Sequence, residues 1–417
     1  MFSSPTTRAC PMALLIPLIL AVPCSAQPWT EARFVEVFSR QSPQAVAARA
    51  QVAVSRAEMR GRAVYSNPSL GYSREGAGFT EFFQAEQTLP LSGRIGILRR
   101  AVEPAVAAAE ADADALIWQL RSEVRLAFYR LLALQERDAV LGSTIKDLQE
   151  VIRVLTTREK EGEGSRFDRL RGEREMVEIQ AEMTSLQAQA SQARARLLQF
   201  LPQGTQIGNV TGVVASNWNL PALEELLSRA VAIRSEIRVD NQLVVRLRLE
   251  QQAAGRLRYP EPVVAAGLKR ADVTSLSVGR APFERTQNGV FFGLTIPIPT
   301  FNRGQAEVSR LQAEQARVEA HRKAREHQIR AEVTGAYQAL ILRRQALENY
   351  RTELGKKSQE LLRIAQVAYQ EGDVGILELL DAFRLNRQSE QRLIELGAAA
   401  REAQIELDRV MGEEVTR

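Results

Sequence analysis

The sequence has little of what covalent or metal chemistry uses. Its 417 residues include only two cysteines and two histidines, too few for a disulfide framework or a Cys/His metal cluster. His321 and His327 are six positions apart, about 240° around a helix, so the two cannot share a metal between themselves. No phosphate-binding glycine loop and no Ser–His–acid arrangement is visible, so an enzyme is not expected. Aromatic residues make up only 6% of the chain, while Ala, Leu, Gln, Glu and Arg fill long stretches, a mixture that suits extended helices. After the N-terminal segment no apolar run reaches about 18 residues, which excludes helical membrane spans. If the chain crosses a membrane, it does so as a closed β-barrel, the other architecture that satisfies every backbone group in lipid. Charge of one sign is also missing. Fifty-five basic residues face fifty acidic ones, and their interleaving reads as solvated helix faces, with no basic stripe for nucleic acid.

What is present begins with an address. Arg8 precedes an apolar stretch from Met12 to Val22, and Cys24-Ser25-Ala26 supplies small residues before Gln27. That is the pattern of a cleaved secretory signal over residues 1–26. Cleavage there removes Cys10 and Cys24 and leaves a mature chain without thiols. The alternative is a lipidated Cys24, which the preceding Pro23 fits poorly.

The remainder matches itself. The segment from Trp29-Thr30-Glu31 to Arg62 is repeated by Leu220-Pro221-Ala222 to Gly255, with Phe34 on Leu226 and Pro68 on Pro260. Further on, Thr88-Leu89-Pro90-Leu91 falls on Thr295-Ile296-Pro297-Ile298, Val124 on Val333, Ala127 on Ala336, and Glu161-Gly162 on Glu371-Gly372. The offset jumps once, between the two strands, and otherwise drifts by a few residues, as insertions in loops predict. The expected organisation is a first repeat over 27–201, a linker over 202–220 and a second repeat over 221–417.

Within each repeat the apolar period changes from two to about 3.6. Val290, Phe292, Leu294, Ile296 and Ile298 alternate with a mixed face and predict a strand; its expected partner is Val263 to Arg270. Ser69 to Arg74 and Phe82 to Leu91 are the equivalent pair, its alternation broken at Gln87. A long helix is predicted from about Ile95 to Lys160, with Leu116, Leu120, Val124, Leu131, Leu141, Leu148 and Leu155 among its apolar positions. A second is predicted from about Gln305 to Gln370, where Val333, Leu340, Leu347, Leu354, Leu361 and Ala368 recur at steps of seven, a coiled-coil seam. A helix of such length spans about 100 Å. Each ends in a turn rich in glycine and acid, Glu161-Gly162-Glu163-Gly164-Ser165 and Glu371-Gly372-Asp373-Val374-Gly375. Returning helices follow, from about Phe167 to Phe200 and Ile376 to Met411.

The duplicated halves, the hairpins with proline at a strand end, the long helices and the Gly-acid turns together resemble the TolC-like outer-membrane efflux family. The resemblance covers almost all of the mature chain. It implies a mainly α fold with a small β part: long antiparallel coiled-coil helices forming a trimeric α-barrel, and four strands per chain entering a 12-stranded transmembrane β-barrel. It implies a homotrimer in outer-membrane lipid, with helices in the periplasm, and partners in a periplasmic adaptor and an inner-membrane efflux pump. No cofactor is implied. In that family the tips surround the tunnel entrance. Glu161, Glu163, Glu371 and Asp373 are therefore candidates for an acidic entrance ring, paired with Arg166 or Arg169. Gly162, Gly164, Ser165, Gly372, Val374 and Gly375 are candidates for the adaptor contact. The alternative role is a soluble periplasmic coiled-coil scaffold with the hairpins as capping sheets; the apolar row from Val290 to Ile298 favours the duct. A closure argument points the same way: eight strands from two chains fill with side chains, so a pore needs at least three chains.

Overall fold

A computed structural model describes residues 29–75, 80–214, 219–275 and 283–415. The candidate signal segment 1–26, with both cysteines, lies outside the described residues. Helices α1 (Glu31–Gln41) and α2 (Pro43–Gly61) lead into strands β1 (Ser69–Glu75) and β2 (Thr80–Thr88), then α3 (Arg94–Lys160) and α4 (Arg166–Leu198). The order recurs as α5 (Leu223–Ile233), α6 (Ser235–Ala254), β3 (Val263–Ser275), β4 (Phe283–Thr295), α7 (Gln305–Tyr350), α8 (Lys356–Glu371) and α9 (Ile376–Met411). Local chemistry sets several boundaries. Thr30 caps α1 by accepting from the Arg33 amide, and Pro43 opens α2, where its missing N–H leaves no bond unmade. Phe34 and Leu226, matched in the sequence, are both fully buried.

The 67 residues of α3 form a rod about 100 Å long. It packs against α2 and α6 and, further along, against α4 and α9. Its seam runs through Val124, Leu131, Leu141, Leu148 and Leu155, all buried. Leu116, expected on that seam, is exposed. The facing seam on α4 uses Ile179, Leu186, Ala193 and Leu197, buried at the steps that knobs-into-holes packing requires. Segment 202–214 is no free linker. Ile207, Val210 and Val214 are buried, Val210 bridges Trp29, and a Cβ on Gly212 would stand 3.2 Å from Leu132.

The second long helix differs from expectation. After α7 the chain makes a π-helical turn, Arg351–Gly355, before α8 continues. Val333, Leu340 and Leu347 are buried as the seven-residue step requires, but Leu354 and Leu361 are exposed. Leu362, Ala365 and Tyr369 pack on the core in their place. A π turn holds one extra residue, so it advances the seam by one position. The sequence offset carries the same signature: it is 209 at Val124/Val333 and 210 at Gly162/Gly372. The inserted residue was absorbed inside a helix, where a loop was expected. Deleting Thr352 is therefore expected to turn the π turn into α-helix while Leu362 and Tyr369 keep their places. An unchanged melting curve by circular dichroism checks this; exposure of the α8–α9 seam to hydrogen exchange would refute it.

The four strands form one antiparallel sheet in the order β1-β2-β3-β4. Thr88, Val263 and Thr295 are register partners at one edge, so all four chain segments to and from the helices leave the sheet there. β2 and β4 stop at Thr88 and Thr295, short of the predicted Leu91 and Ile298. Pro90 and Pro297 lack the N–H that would extend the ladder. The other hairpin end reaches further than expected, with β3 to Ser275 and β4 from Phe283.

Candidate functional site

The register sorts the sheet into two faces. Leu70, Tyr72, Phe83, Leu268, Val290, Phe292 and Leu294 share one face, and every one is exposed, Phe292 at 82%. Ile296 and Ile298 continue the exposed row past the strand end. Over Val290 to Ile298 the row runs about 27 Å along the chain at ~3.4 Å per residue, close to the ~25 Å apolar band of outer-membrane barrels. The opposite face carries Ser69, Ser73, Gln84, Glu86, Thr88, Lys269 and Gln287, with Phe82 and Phe291 in edge-to-face contact at 5.9 Å. An apolar exterior and a polar interior are what a membrane-embedded barrel wall presents. The distal edge is charged but balanced: Glu81 accepts from the Tyr72 hydroxyl at 2.9 Å and stands 4.0 Å from Arg270.

The two tips lie at one end of the helical rods. Both are the same helix-ending motif. Gly162 and Gly372 adopt φ of 81° and 89°, and the next amides, Glu163 and Asp373, donate back to the Arg158 and Ala368 carbonyls at 2.9 Å each. A left-handed residue at this place costs glycine least, and the motif satisfies carbonyls the helix end would leave open. Ser165 accepts from the Phe167 amide and so caps α4. Gly164 has ordinary φ but no room: a Cβ would meet the Arg158 Cβ and the Glu159 backbone nitrogen at 2.9 Å. Gly375 would meet only the movable Glu378 carboxylate. Val374 is half-buried, and Ile376 behind it is buried. Arg158 stacks over Tyr369 at 5.6 Å and joins the two tips, while burial pushes the Tyr369 hydroxyl's pKa up.

Glu161, Glu163, Glu371 and Asp373 are all exposed at these turns. The expected pairing with Arg169 does not form: Arg169 binds Glu159 at 2.5 Å and Glu173 at 2.6 Å, because it sits one turn inside α4 facing α3. Among the described residues no ion pair joins Arg166 to the tip acids either. Beside the tips, sequence reading missed an exposed apolar surface: Phe167, Leu170 and Val177 on α4, and Leu377 and Leu385 on α9. A groove of about 620 Å³ runs between these helices, lined by Arg171, Arg174, Glu178, Leu377 and Asp381 among others.

A buried ionic cluster at the opposite ends of α3's packing partners was also missed. Arg125 of α3 binds Glu31 of α1 at 2.5 Å and Asp408 of α9 at 2.8 Å. Tyr129 donates to Glu31 at 2.5 Å, and Arg401 stacks on Tyr129 at 4.6 Å while donating to the Val213 and Val214 carbonyls at 3.0 Å. Asp408 is fully buried, and burial pushes its carboxyl pKa up. Burial also opposes the charge on Arg125, but Glu31 and Asp408 outweigh it. Close by, Arg234 donates to the Val410 carbonyl at 2.7 Å at the end of α9 and to Glu236 at 2.7 Å. Burial alone would raise the Glu236 carboxyl; Arg234 outweighs it and holds it below its ordinary value. Partners this distant in sequence leave no local pattern.

Residues 226–413 match the model of a family described as outer membrane efflux protein. The match lies within the second repeat and takes in 188 of the 417 residues. The match and the fold together support a seat in the outer membrane and a part in efflux. No curated protein matches this chain. Among solved structures its fold is similar to the outer-membrane channel OprN, at 19% identity and a TM-score of 0.70, over 92% of this chain and 89% of that one. It is similar to CusC, whose structures concern folding and transmembrane channel formation, at 18% identity and 0.71, over 92% of each chain. The MtrE channel of Neisseria gonorrhoeae in its open state aligns at 18% identity and 0.68, over 93% of this chain and 90% of that one. At such identities the likeness speaks for the fold.

Proposed function

We propose that this chain is the exit duct of a tripartite efflux system and works as a homotrimer, passing substrate from an inner-membrane pump and a periplasmic adaptor to the outside. The observation that carries the reading is the sheet: an apolar exposed face, a polar opposite face, and two edge strands, β1 and β4, with no further strand beside them among the described residues. Open edges invite pairing. Joined edge to edge, three copies supply twelve strands and remove every edge, with an interior wide enough for passage. The two repeats, 27–201 and 221–417 with a linker at 202–220, would then each supply one hairpin and one pair of rods to the tube. The scaffold alternative leaves the exposed row from Val290 to Ile298 in water without a partner. Native mass spectrometry in detergent and single-channel recording test the proposal together. A monomer that conducts, or a trimer that never inserts into a bilayer, overturns it.

The tips are assigned the tunnel entrance and the adaptor contact. Six turns at one end of a trimer would crowd twelve acids, and charges in a narrow mouth act on passing ions more strongly than in open water. Glu371→Gln with Asp373→Asn is expected to change conductance or cation preference while the trimer survives. Gly164→Val and Gly372→Val are expected to distort the turn and weaken adaptor binding and export, whereas Gly375→Ser is tolerated. Wild-type conductance, selectivity and adaptor binding in all of them would reduce the tips to solvated turns.

A further inference from the structure

The edge of the sheet that meets the helices is charged with one sign. In the four segments 60–68, 89–100, 255–262 and 296–305 stand eight arginines and a single acid, Glu261. Seven of the eight are exposed, and Arg94 is half-buried. Many arginines elsewhere are tied to carboxylates, as Arg387 is to Glu182 at 2.6 Å and Arg310 to Glu307 at 2.7 Å. Among the described residues none of these eight has a carboxylate oxygen within 4.0 Å. Arg99, Arg256 and Arg258 contact aromatic rings, a carbonyl and a hydroxyl instead. Arg99 stacks on Tyr65 at 5.3 Å and donates to the Ala63 carbonyl at 3.3 Å; Arg258 stacks on Tyr259 at 4.9 Å and donates to its hydroxyl at 3.0 Å. These contacts orient the guanidinium groups and leave most of their donors open.

The belt adjoins the lipid-facing row. Ile298 and Phe301, 78% and 93% exposed, lead into Arg303, and Leu91, 73% exposed, leads into Arg94. All four segments leave the sheet at one edge, so the arginines form a layer between the apolar band and the rods. Among the described residues the other edge has no such excess, and Arg270 there lies beside Glu81.

We propose that this arginine belt binds the phosphate groups of anionic phospholipids in the periplasmic leaflet of the outer membrane. The inference rests on the duct reading, which sets the row beside it in lipid. The chemistry is complementary. Guanidinium groups hold phosphate oxygens by paired charged hydrogen bonds, tyrosines sit at headgroup depth, and unpaired cations near an anionic leaflet are drawn to it. The belt thereby fixes the height of the barrel in the membrane and the orientation of the rods into the periplasm.

The test uses the full chain reconstituted in phosphatidylethanolamine nanodiscs containing a minor fraction of phosphatidylglycerol. Wild type is expected to retain phosphatidylglycerol over phosphatidylethanolamine on release, as read by native mass spectrometry. Inorganic phosphate is expected not to displace it. The variant R99Q/R100Q/R256Q/R258Q is expected to lose that preference by at least about tenfold, each arginine near an anionic surface contributing severalfold, with channel conductance kept. The exposed variant R310Q is expected to bind as wild type does. Channels that form normally but retain both lipids alike overturn the belt alone, as does equal retention by the fourfold variant or displacement by phosphate. A wild type that forms no channels overturns the duct reading, and the belt with it.

Discussion

Replacing Arg125 with methionine is expected to destabilise the folded chain by about 3–5 kcal/mol, the range for breaking a buried ion pair from one side. The change leaves Asp408 fully buried without its guanidinium partner, beside the Val415 amide at 3.0 Å, and leaves Glu31 with Tyr129. It also unfastens three elements at once, since Arg125 ties α1 and α9 to α3. The double variant Arg125→Met with Asp408→Leu removes the stranded charge and is expected to recover most of the loss. Thermal or denaturant unfolding in detergent measures both. The sign of the pH dependence follows from the direction of the shift. The folded-state pKa of Asp408 is raised by burial above its unfolded value, and the missing guanidinium raises it further. Folding then favours the protonated acid, so stability falls as pH rises from the unfolded value through the folded one. The single variant is thus expected to be less impaired in acid than at neutral pH. A loss under about 1 kcal/mol, or a double variant no better than the single, would show that the cluster is not what holds these elements together.

Gly267→Val is expected to abolish insertion. A Cβ at Gly267 would stand 2.2 Å from the Phe83 carbonyl oxygen and 2.8 Å from the ring of Phe291. The first contact is with backbone of the neighbouring strand, which cannot move without parting β2 from β3 across their register. Ordinary overpacking costs about 1–3 kcal/mol, and overlap with backbone exceeds it, so the assembled outer-membrane form is expected to fall by more than about tenfold. Helix content by circular dichroism is expected to remain, because the seams of α3, α4, α7 and α9 lie outside the sheet. Gly293→Ala is the control: its Cβ would sit at an ordinary 3.5 Å from Ala265. If Gly267→Val reaches the outer membrane at the wild-type level, strand pairing at this position is not what limits assembly.

Much of the fold was legible because it rests on short periods. The step of two in Val290 to Ile298 placed an exposed apolar row, and the structure exposes every residue of it. The steps of seven in Leu141, Leu148 and Leu155 and in Ile179 and Leu186 placed two seams that are buried. The tip turns were legible because glycine followed by acid at a helix end has few conformations that satisfy the last carbonyls. Where a count ran through a local irregularity it failed. Leu354 and Leu361 fit the seven-residue step and are exposed, because a period read along a string cannot register one extra residue taken up by a π turn.

The sequence by itself determined the alternation that makes a membrane-facing strand, the long rods and their ends, since each depends on neighbours within one or two turns. Only the tertiary structure decided the register of four strands, the seam that α8 presents to α9, and the union of Glu31, Arg125 and Asp408. The reason is physical: Arg125 and Asp408 are 283 positions apart. A buried charge is tolerable only where its partner arrives, and that arrival is set by how the rods pack.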